Sequence, residues 1–418
     1  MAERSFLSDV LRRVASAAWP GEARDQTLAE ACHTLLNERS EAAGLGLAQD
    51  ILTRFEAADA GKRATFFASV ARDFGADDGA VAAAIEGWQA GNADAARALH
   101  TASEPQSMNL IRMLNRVPGA TSRLVRMRAG LLDLLRDTPD LKGLDGDFRH
   151  LFASWFNRGF LELRRIDWST PAAVLEKIIA YEAVHEINGW DDLRQRVADP
   201  DRRLFAFFHP AMPGEPLIFV EVALMGEVPG AIATIIADDR AALDPAEAKV
   251  AVFYSISNCQ KGLRGISFGN FLIKQVVAEL SAELPGLGTF VTLAPVPGMR
   301  RYVESAAEGD PVLAGIGRDE DGTPKAEELR RLAARYLSQA RRGAATVFDP
   351  VAHFHLSNGA ELHDIHARGD LSDTGLGNAW GVMVNYLYDP GRTESNHRAY
   401  AKDGTVAMSS KVRALVRK

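Results

Sequence analysis

A glycine-rich turn after residue 258 is the stretch of the sequence best suited to binding a small anion. A strand-like run ends near Ser257, and an apolar helical pattern begins shortly after the turn. Unpaired N–H groups and the dipole at a helix start favour negative charge, and glycine lets a phosphate approach the backbone closely. Lys261 and Arg264 add positive charge, so we expect this turn to bind a phosphate or pyrophosphate. The glycines of the turn are Gly262, Gly265 and Gly269.

The turn does not match two common phosphate-binding patterns. Its sequence GLRGIS lacks the GxxxxGK[ST] of a P-loop and the GxGxxG of a Rossmann turn. Its spacing is similar to the pyrophosphate turn of the GCN5-related N-acetyltransferases, which hold coenzyme A where a strand passes into a helix. That family's turn usually reads RxxGxG, and its first and last positions differ here. A glycine-rich connection without a ligand therefore stays open as the alternative.

Histidines form the second group of residues that could do chemistry, because their unperturbed pKa is about 6.5. The alternation in HFHL is typical of a strand, so we expect His353 and His355 to lie on one side of it. His363 and His366 have the spacing of a ligand pair on a helix, but the sequence fixes no third ligand. We therefore predict no metal site. His209 is interpreted as structural or pocket-lining.

Carboxylates and cysteines give weaker signals. Glu215 and Glu221 are candidates for a pocket carboxylate, and exposed charge is the favoured interpretation of Glu215. The only cysteines, Cys32 and Cys259, are far apart and lack metal-ligand spacing. Neither a disulfide framework nor a cysteine metal site is expected, and a reducing compartment fits this usage.

The elements that must position these residues change in character near residue 160. Residues 1–160 are rich in Ala, Leu, Arg and Glu with apolar residues at helical spacing, which predicts an all-helical bundle. Residues 161–418 contain short Phe-, Val- and Ile-rich runs, with helical patterns at 266–284 and 324–341. The predicted fold class is therefore α+β, a helical bundle followed by a mixed α/β domain. The predicted strands are RRLFAFFHP, PLIFVEVALM, AIATIIA, KVAVFYSIS, GTFVTLAPV and AWGVMVNYLYD.

Composition excludes several classes of partner. The net charge of −7 over 418 residues argues against bulk binding to nucleic acid. No apolar run approaches the ~18–20 residues needed to cross a bilayer. The amphipathic first 20 residues carry Glu3 and Asp9, and transit peptides are poor in acidic residues. We therefore interpret them as a first helix and expect a cytoplasmic protein with no membrane and no nucleic-acid partner.

Longer blocks, occurring in a fixed order, resemble the malonyl-CoA decarboxylase family. The resemblance covers roughly residues 145–298 and 345–390. That family pairs a helical oligomerisation domain with an acetyltransferase-like (GNAT-like) catalytic domain. The resemblance implies conversion of malonyl-CoA to acetyl-CoA and CO2, a homodimer or homotetramer, and no cofactor beyond the coenzyme A of the substrate. The blocks are ASWFNRGFLELRRIDW, HPAMPGEPLIFVEVAL, AVFYSISNCQKGLRGISFGNFLIKQVV, LAPVPG, DPVAHFHLSNGAELHDIH and NYLYD.

The resemblance also implies roles for individual residues. The family's catalytic histidine, in a DPVANFHLQNG-like motif, matches His355, and the tyrosine of its NYxY motif matches Tyr388. Its catalytic serine, in LSPxPG, falls on Ala294, because this chain reads LAPVPG. Thr292 keeps the same side of a strand as Ala294 and could substitute in part. The coenzyme-binding stretch falls on Arg264, Gly265, Ile266, Ser267, Phe268, Gly269 and Asn270, and some members carry Glu where this chain has Ser267.

The proposed chemistry leaves two alternatives open. Loss of CO2 produces a thioester enolate, which needs hydrogen-bond donors at its oxygen and an acid for its α-carbon. His355 suits the acid role, with Tyr388 orienting it or the substrate. Because of Ala294, the chain could instead be a catalytically impaired malonyl-CoA-binding protein or an engineered inactive variant. An acyl-CoA-dependent N-acyltransferase is the second alternative, and it would need a path for an amine.

Overall fold

The described residues of a computed structural model are 26–237, 239–266, 272–317, 324–343 and 346–417. They form two compact units. The first contains residues 26–161, 209–213 and 260–266, and the second contains the remaining described residues. The glycine-rich turn at 260–266 therefore packs with the helical unit. The division predicted from the sequence, near residue 160, assigns this turn to the strand-bearing domain.

The first unit is helical, as its composition predicts. Several of its helices begin at a side chain that caps free backbone N–H groups; Asp77, for example, accepts hydrogen bonds from the amides of Gly79 and Ala80. Phe55 packs edge-on against Phe66 and Phe67, with ring centroids 5.2 and 5.4 Å apart, and this contact forms part of the core. The helices are α1 (Leu28–Asn37), α2 (Glu41–Ala57), α3 (Ala60–Asp73), α4 (Asp78–Glu86), α5 (Ala93–Ala102), α6 (Gln106–Leu114), α7 (Ala120–Leu134) and α8 (Lys142–Trp155).

The second unit is built on a mixed sheet. The strand order is β1-β2-β3-β4-β5-β10-β6, and β9 also pairs with β10. Strands β4 and β5 are parallel, and the other described pairs of this sheet are antiparallel. A separate two-stranded sheet joins β7 and β8. The strands are β1 (Glu162–Ile166), β2 (Arg202–Phe208), β3 (Ile218–Met225), β4 (Val250–Asn258), β5 (Thr289–Thr292), β6 (Ala294–Pro295), β7 (Arg341–Arg342), β8 (Thr346–Val347), β9 (Glu361–His366) and β10 (Met383–Leu387).

Helices cover this sheet. One core cluster contains Ile178 and Leu193 from two helices of this unit, together with Leu204 of β2 and Phe219 of β3. All four side chains are buried. Burial of such apolar side chains stabilises each by roughly 1.5–3 kcal/mol. The helices are α9 (Ala172–Tyr181), α10 (Trp190–Ala198), α11 (Ala233–Ile236), α12 (Leu272–Glu283), α13 (Met299–Ser305), α14 (Ala326–Gln339), α15 (Pro350–Ser357), α16 (Asp373–Ala379), α17 (Thr393–Asp403) and α18 (Ser410–Arg417).

One predicted strand is wrong. The run AIATIIA forms the single helical turn α11 instead of a strand. Ile232 and Ile235, three residues apart, both bury their side chains in the core, and the amide of Ile232 donates to the carbonyl of Gly369. A spacing of three suits a helical turn, so tertiary packing overrides the strand propensity of these β-branched residues.

Candidate active site

The sheet opens where the parallel pair ends. Strands β4 and β5 are paired from Val250–Thr289 as far as Phe253–Thr292. Beyond that point β4 continues to Asn258 alongside β3, whereas β6 pairs with β10. A register shift between β3 and β4 lies at the same level, next to Tyr254. Such an irregularity bends a strand away from its neighbour, and here it accompanies a gap between the two parallel strands.

This gap holds a cavity of about 230 Å³. Its wall is mostly apolar, with a few polar groups, as is usual for a small-molecule site. His355, Ala294 and Thr292 all line it, so three of the residues singled out from the sequence lie together. The full lining is Val184, Phe253, Tyr254, Ile256, Asn258, Thr292, Leu293, Ala294, Pro295, Pro350, Val351, Phe354 and His355.

His355 lies on helix α15, not on a strand. Asp349 caps this helix by accepting from the amides of Val351 and Ala352 at 2.9 Å, and Pro350 occupies its first turn. The expectation that His353 and His355 share one side of a strand is therefore wrong: the ring of His353 contacts the hydroxyl of Tyr400 instead. The Asp-Pro pair is a helix-start signal that sequence reasoning missed.

Two tyrosines fix the imidazole of His355. Its Nδ1 lies 2.8 Å from the hydroxyl oxygen of Tyr388, and the ring of Tyr386 stacks on it at 4.5 Å with an interplanar angle of 21°. Complete burial lowers the pKa of His355 to about 3, and burial also raises the pKa of Tyr388 well above its ordinary value. At neutral pH His355 is therefore a neutral imidazole in the free protein, in contrast to the value near 6.5 assumed from the sequence.

Ala294 and Thr292 lie on either side of a break between two strands. Ala294 lies on β6 and pairs with Val384 of β10, whereas Thr292 is the last residue of β5. The carbonyl oxygen of Thr292 accepts from the side-chain amide of Asn385 at 2.9 Å, and its hydroxyl accepts from the amide of Tyr386 at 3.2 Å. These side-chain hydrogen bonds replace backbone hydrogen bonds of the sheet. They keep β10 bonded to Thr292 at the point where β5 ends, before β6 begins.

The other candidate residues have structural partners. Glu221 is fully buried, 3.3 Å from Arg196, and it does not line the cavity. Burial raises the pKa of Glu221 to about 7, against the lowering effect of Arg196. Glu215 is half-buried and ion-paired with Lys177 at 2.9 Å, so the interpretation as exposed charge is wrong.

The three other histidines singled out from the sequence are His209, His363 and His366. His209 lies 3.0 Å from the carbonyl oxygen of Trp155, which gives it a structural contact. His363 and His366 lie on strand β9, so their supposed helical spacing is wrong; His366 contacts the side chain of Asn385. Among the described residues, no group of three His, Cys, Asp or Glu side chains could hold a metal ion.

Three residues of the predicted coenzyme-binding stretch are among the described residues. Arg264 and Gly265 are exposed and Ile266 is buried, and Gly265 has a positive φ of 78°. Such a backbone conformation favours glycine. Ser267, Phe268, Gly269 and Asn270 lie outside the described residues. In the portion of the chain that is described, no helix is long and apolar enough to cross a lipid bilayer.

By its fold the chain consists of a helical region followed by a mixed sheet in which two parallel strands separate around a cavity. Residues 159–418 match the model of the malonyl-CoA decarboxylase C-terminal domain, and residues 74–156 match that of the N-terminal domain. The chain therefore belongs to the malonyl-CoA decarboxylase family, and the expected order of helical region and mixed α/β domain is confirmed.

Individual relatives agree with this assignment. Mitochondrial malonyl-CoA decarboxylase of Anser anser anser is 35% identical over 85% of this chain and 80% of its own length. The enzyme of Rattus norvegicus is 33% identical over 91% and 87%. The crystal structure of malonyl-CoA decarboxylase from Rhodopseudomonas palustris is 46% identical, with a TM-score of 0.87 over 93% of this chain and 98% of that one.

Proposed function

We propose that this chain converts malonyl-CoA to acetyl-CoA and CO2, with the malonyl thioester bound in the cavity beside His355. The observation that carries the proposal is the buried His355–Tyr388 pair at that cavity, in a chain whose two parts match both models of the family. The apolar wall suits the reaction, because a carboxylate with little water around it loses its charge more readily as the carbon–carbon bond breaks.

The reaction needs an enolate stabiliser and one proton. The bond between the α-carbon and the carboxylate breaks, its electron pair moves into the thioester as an enolate, and CO2 leaves. A proton then adds to the α-carbon to give acetyl-CoA. If the hydroxyl of Tyr388 donates to Nδ1 of His355, the proton of the neutral imidazole is on Nε2, where it can donate to substrate. A malonyl carboxylate bound nearby would raise the pKa of His355, so that the imidazole takes up a proton from solvent when the substrate binds. The imidazolium then gives this proton to the α-carbon of the enolate and returns to the neutral imidazole.

Ala294 removes a hydroxyl that the family resemblance places at this point. Thr292 lines the same cavity, and its hydroxyl oxygen already accepts from the amide of Tyr386. The hydroxyl hydrogen of Thr292 therefore points away from this amide, and we propose that the hydroxyl donates it in a hydrogen bond to the thioester oxygen. With this donor the chain would keep a hydroxyl for the thioester oxygen, which supports an active decarboxylase over the impaired binding protein.

The remaining parts of the proposal follow from the family and the chemistry. Arg264 to Asn270 would hold the pyrophosphate of coenzyme A. Decarboxylation requires only donors and a proton, so no cofactor beyond the substrate's own coenzyme A is proposed. We further propose a homodimer or homotetramer in the cytoplasm, which size-exclusion chromatography with light scattering and cell fractionation would test.

The decisive experiment is product analysis by mass spectrometry with malonyl-CoA as the sole substrate. We expect acetyl-CoA and CO2 from the unmodified chain, and loss of most turnover with retained coenzyme A binding in His355→Ala. A parallel incubation with acetyl-CoA and polyamines tests acyl transfer. An acetylated amine without CO2 release from malonyl-CoA would replace decarboxylation by acyl transfer, and equal turnover in His355→Ala would remove His355 from the mechanism.

A further inference from the structure

A buried arginine of the helical unit holds the backbone of the glycine-rich turn. Arg128, on α7, is 1% exposed. Its Nε donates to Asp145 Oδ1 at 2.8 Å, and its Nη1 donates to the carbonyl oxygens of Gly262 at 2.7 Å and Arg264 at 3.0 Å. Charge-assisted bonds of this kind are shorter and stronger than neutral ones. Arg128, held by Asp145, thus fixes the positions of two carbonyl groups of the turn, those of Gly262 and Arg264.

The same bonds determine where one amide of the turn points. In a trans peptide the C=O of one residue and the N–H of the next point in opposite directions. Because the carbonyl of Arg264 points to Arg128, the N–H of Gly265 points away from it, and Gly265 is exposed. Residue 262 must be glycine here, since an added Cβ would lie 1.8 Å from the carbonyl oxygen of Val125 on α7.

A second arginine of the helical unit lies beside this amide. Arg149 follows Asp145 by one helical turn on α8, so the two share a face of that helix. Its Nε lies 3.8 Å from the point where a Cβ on Gly265 would be, and its side chain is exposed. Lys261 is ion-paired with Asp133 of α7, which keeps a third cation at the turn.

We infer that α7 and α8 form part of the coenzyme phosphate site, with Arg128 as a positioning residue and Arg149 as a side chain that contacts the phosphate. The inference rests on the proposed function, since it assumes that the turn binds the coenzyme. It gives the helical region a role in substrate binding in addition to assembly. The side chain of Arg149 is exposed, whereas Arg128 is buried and acts only through the backbone that it holds.

Calorimetric titration with coenzyme A, followed by steady-state kinetics with malonyl-CoA, tests the contact of Arg149. Losing one charge-assisted bond should weaken coenzyme A binding by roughly tenfold in Arg149→Ala. KM should rise by a similar factor while kcat changes little, because the phosphate lies far from the reacting bond. The control is Arg126→Ala, which removes an exposed arginine of α7 that pairs with Glu56. Equal affinities in Arg149→Ala and Arg126→Ala would overturn the contact.

Arg128 requires a gentler substitution, because removing one partner of a buried ion pair leaves the other uncompensated. Arg128→Lys keeps the charge but offers one nitrogen instead of the two that Arg128 uses, so it cannot donate to Asp145 from one nitrogen and to both carbonyls from another. With folding checked by circular dichroism, we expect weaker coenzyme A binding and a higher KM at retained kcat. Unchanged binding in a folded Arg128→Lys protein would overturn the positioning role.

The titration of the unmodified chain separates this inference from the proposed function. If the chain binds coenzyme A and Arg149→Ala weakens that binding, but malonyl-CoA yields no CO2, the phosphate site stands and the decarboxylase proposal fails. If the unmodified chain does not bind coenzyme A at all, both fail.

Discussion

Restoring a hydroxyl at position 294 should raise the turnover number of this protein. Ala294 is 5% exposed and lines the same cavity as His355 and Thr292. A serine hydroxyl there would be shielded from water, where a hydrogen bond to a developing oxyanion is strongest. Removing one such donor from an enzyme typically costs ~2.7–4 kcal/mol, which is a factor of roughly a hundred to a thousand in kcat.

In the proposed mechanism the hydroxyl of Thr292 supplies part of this stabilisation, so we expect Ala294→Ser to give the lower end of that range, roughly a hundredfold higher kcat. KM should change little, because the donor acts on charge that appears only in the transition state. Without substrate the new hydroxyl is buried and incompletely paired, which should cost about 1–3 kcal/mol of folding free energy. Activity and thermal stability should therefore move in opposite directions.

The assay is initial-rate CO2 release from malonyl-CoA at saturating substrate, combined with thermal unfolding. Ala294→Val is the matched control, since it adds volume without a donor and should lower kcat. Thr292→Val should cost more activity in the unmodified chain than together with Ala294→Ser, because the serine would then share its role. If Ala294→Ser leaves kcat unchanged while His355→Ala abolishes turnover, the missing hydroxyl does not limit the reaction and the reasoning fails.

Other predictions concern the histidine and the turn. Tyr388→Phe removes the 2.8 Å contact to Nδ1 of His355, so kcat should fall roughly tenfold with little change in KM; wild-type kinetics would show that the tautomer is set in another way. The pKa of His355 is lowered to about 3 in the folded protein, so between pH 6.5 and about 3 the unfolded chain binds a proton that the folded protein does not. The free energy of unfolding should therefore be unaffected by this group above pH 6.5 and should fall by up to ~1.4 kcal/mol per pH unit as the pH decreases from 6.5 to about 3. Acid unfolding of His355→Gln should show a shallower slope, and identical slopes would argue against its burial as a neutral imidazole. Gly262→Ala should lower the melting temperature more than Gly265→Ala, since only the former places a Cβ against a backbone carbonyl; the reverse order by differential scanning calorimetry would contradict the packing of the turn on α7.

Local sequence signals were sufficient for the broad architecture of the chain. Helical spacing in the first part and β-branched runs in the second predict elements that depend mainly on short-range periodicity. The resemblance to the family also singled out His355 and Tyr388, although it could not say that they touch. The failures have physical causes: HFHL alternates like a strand, but the Asp349-Pro350 cap starts a helix, and AIATIIA has strand propensity but packs as a helical turn.

What the sequence by itself determined was which residue types are present and which local elements they favour. Only the tertiary structure decided the environment of those residues. His355 and Tyr388 are 33 residues apart, and Arg128 reaches a turn 134 residues away. Burial and long-range hydrogen bonds depend on how distant elements pack, so no local pattern could give the neutral imidazole or the buried arginine that holds the turn.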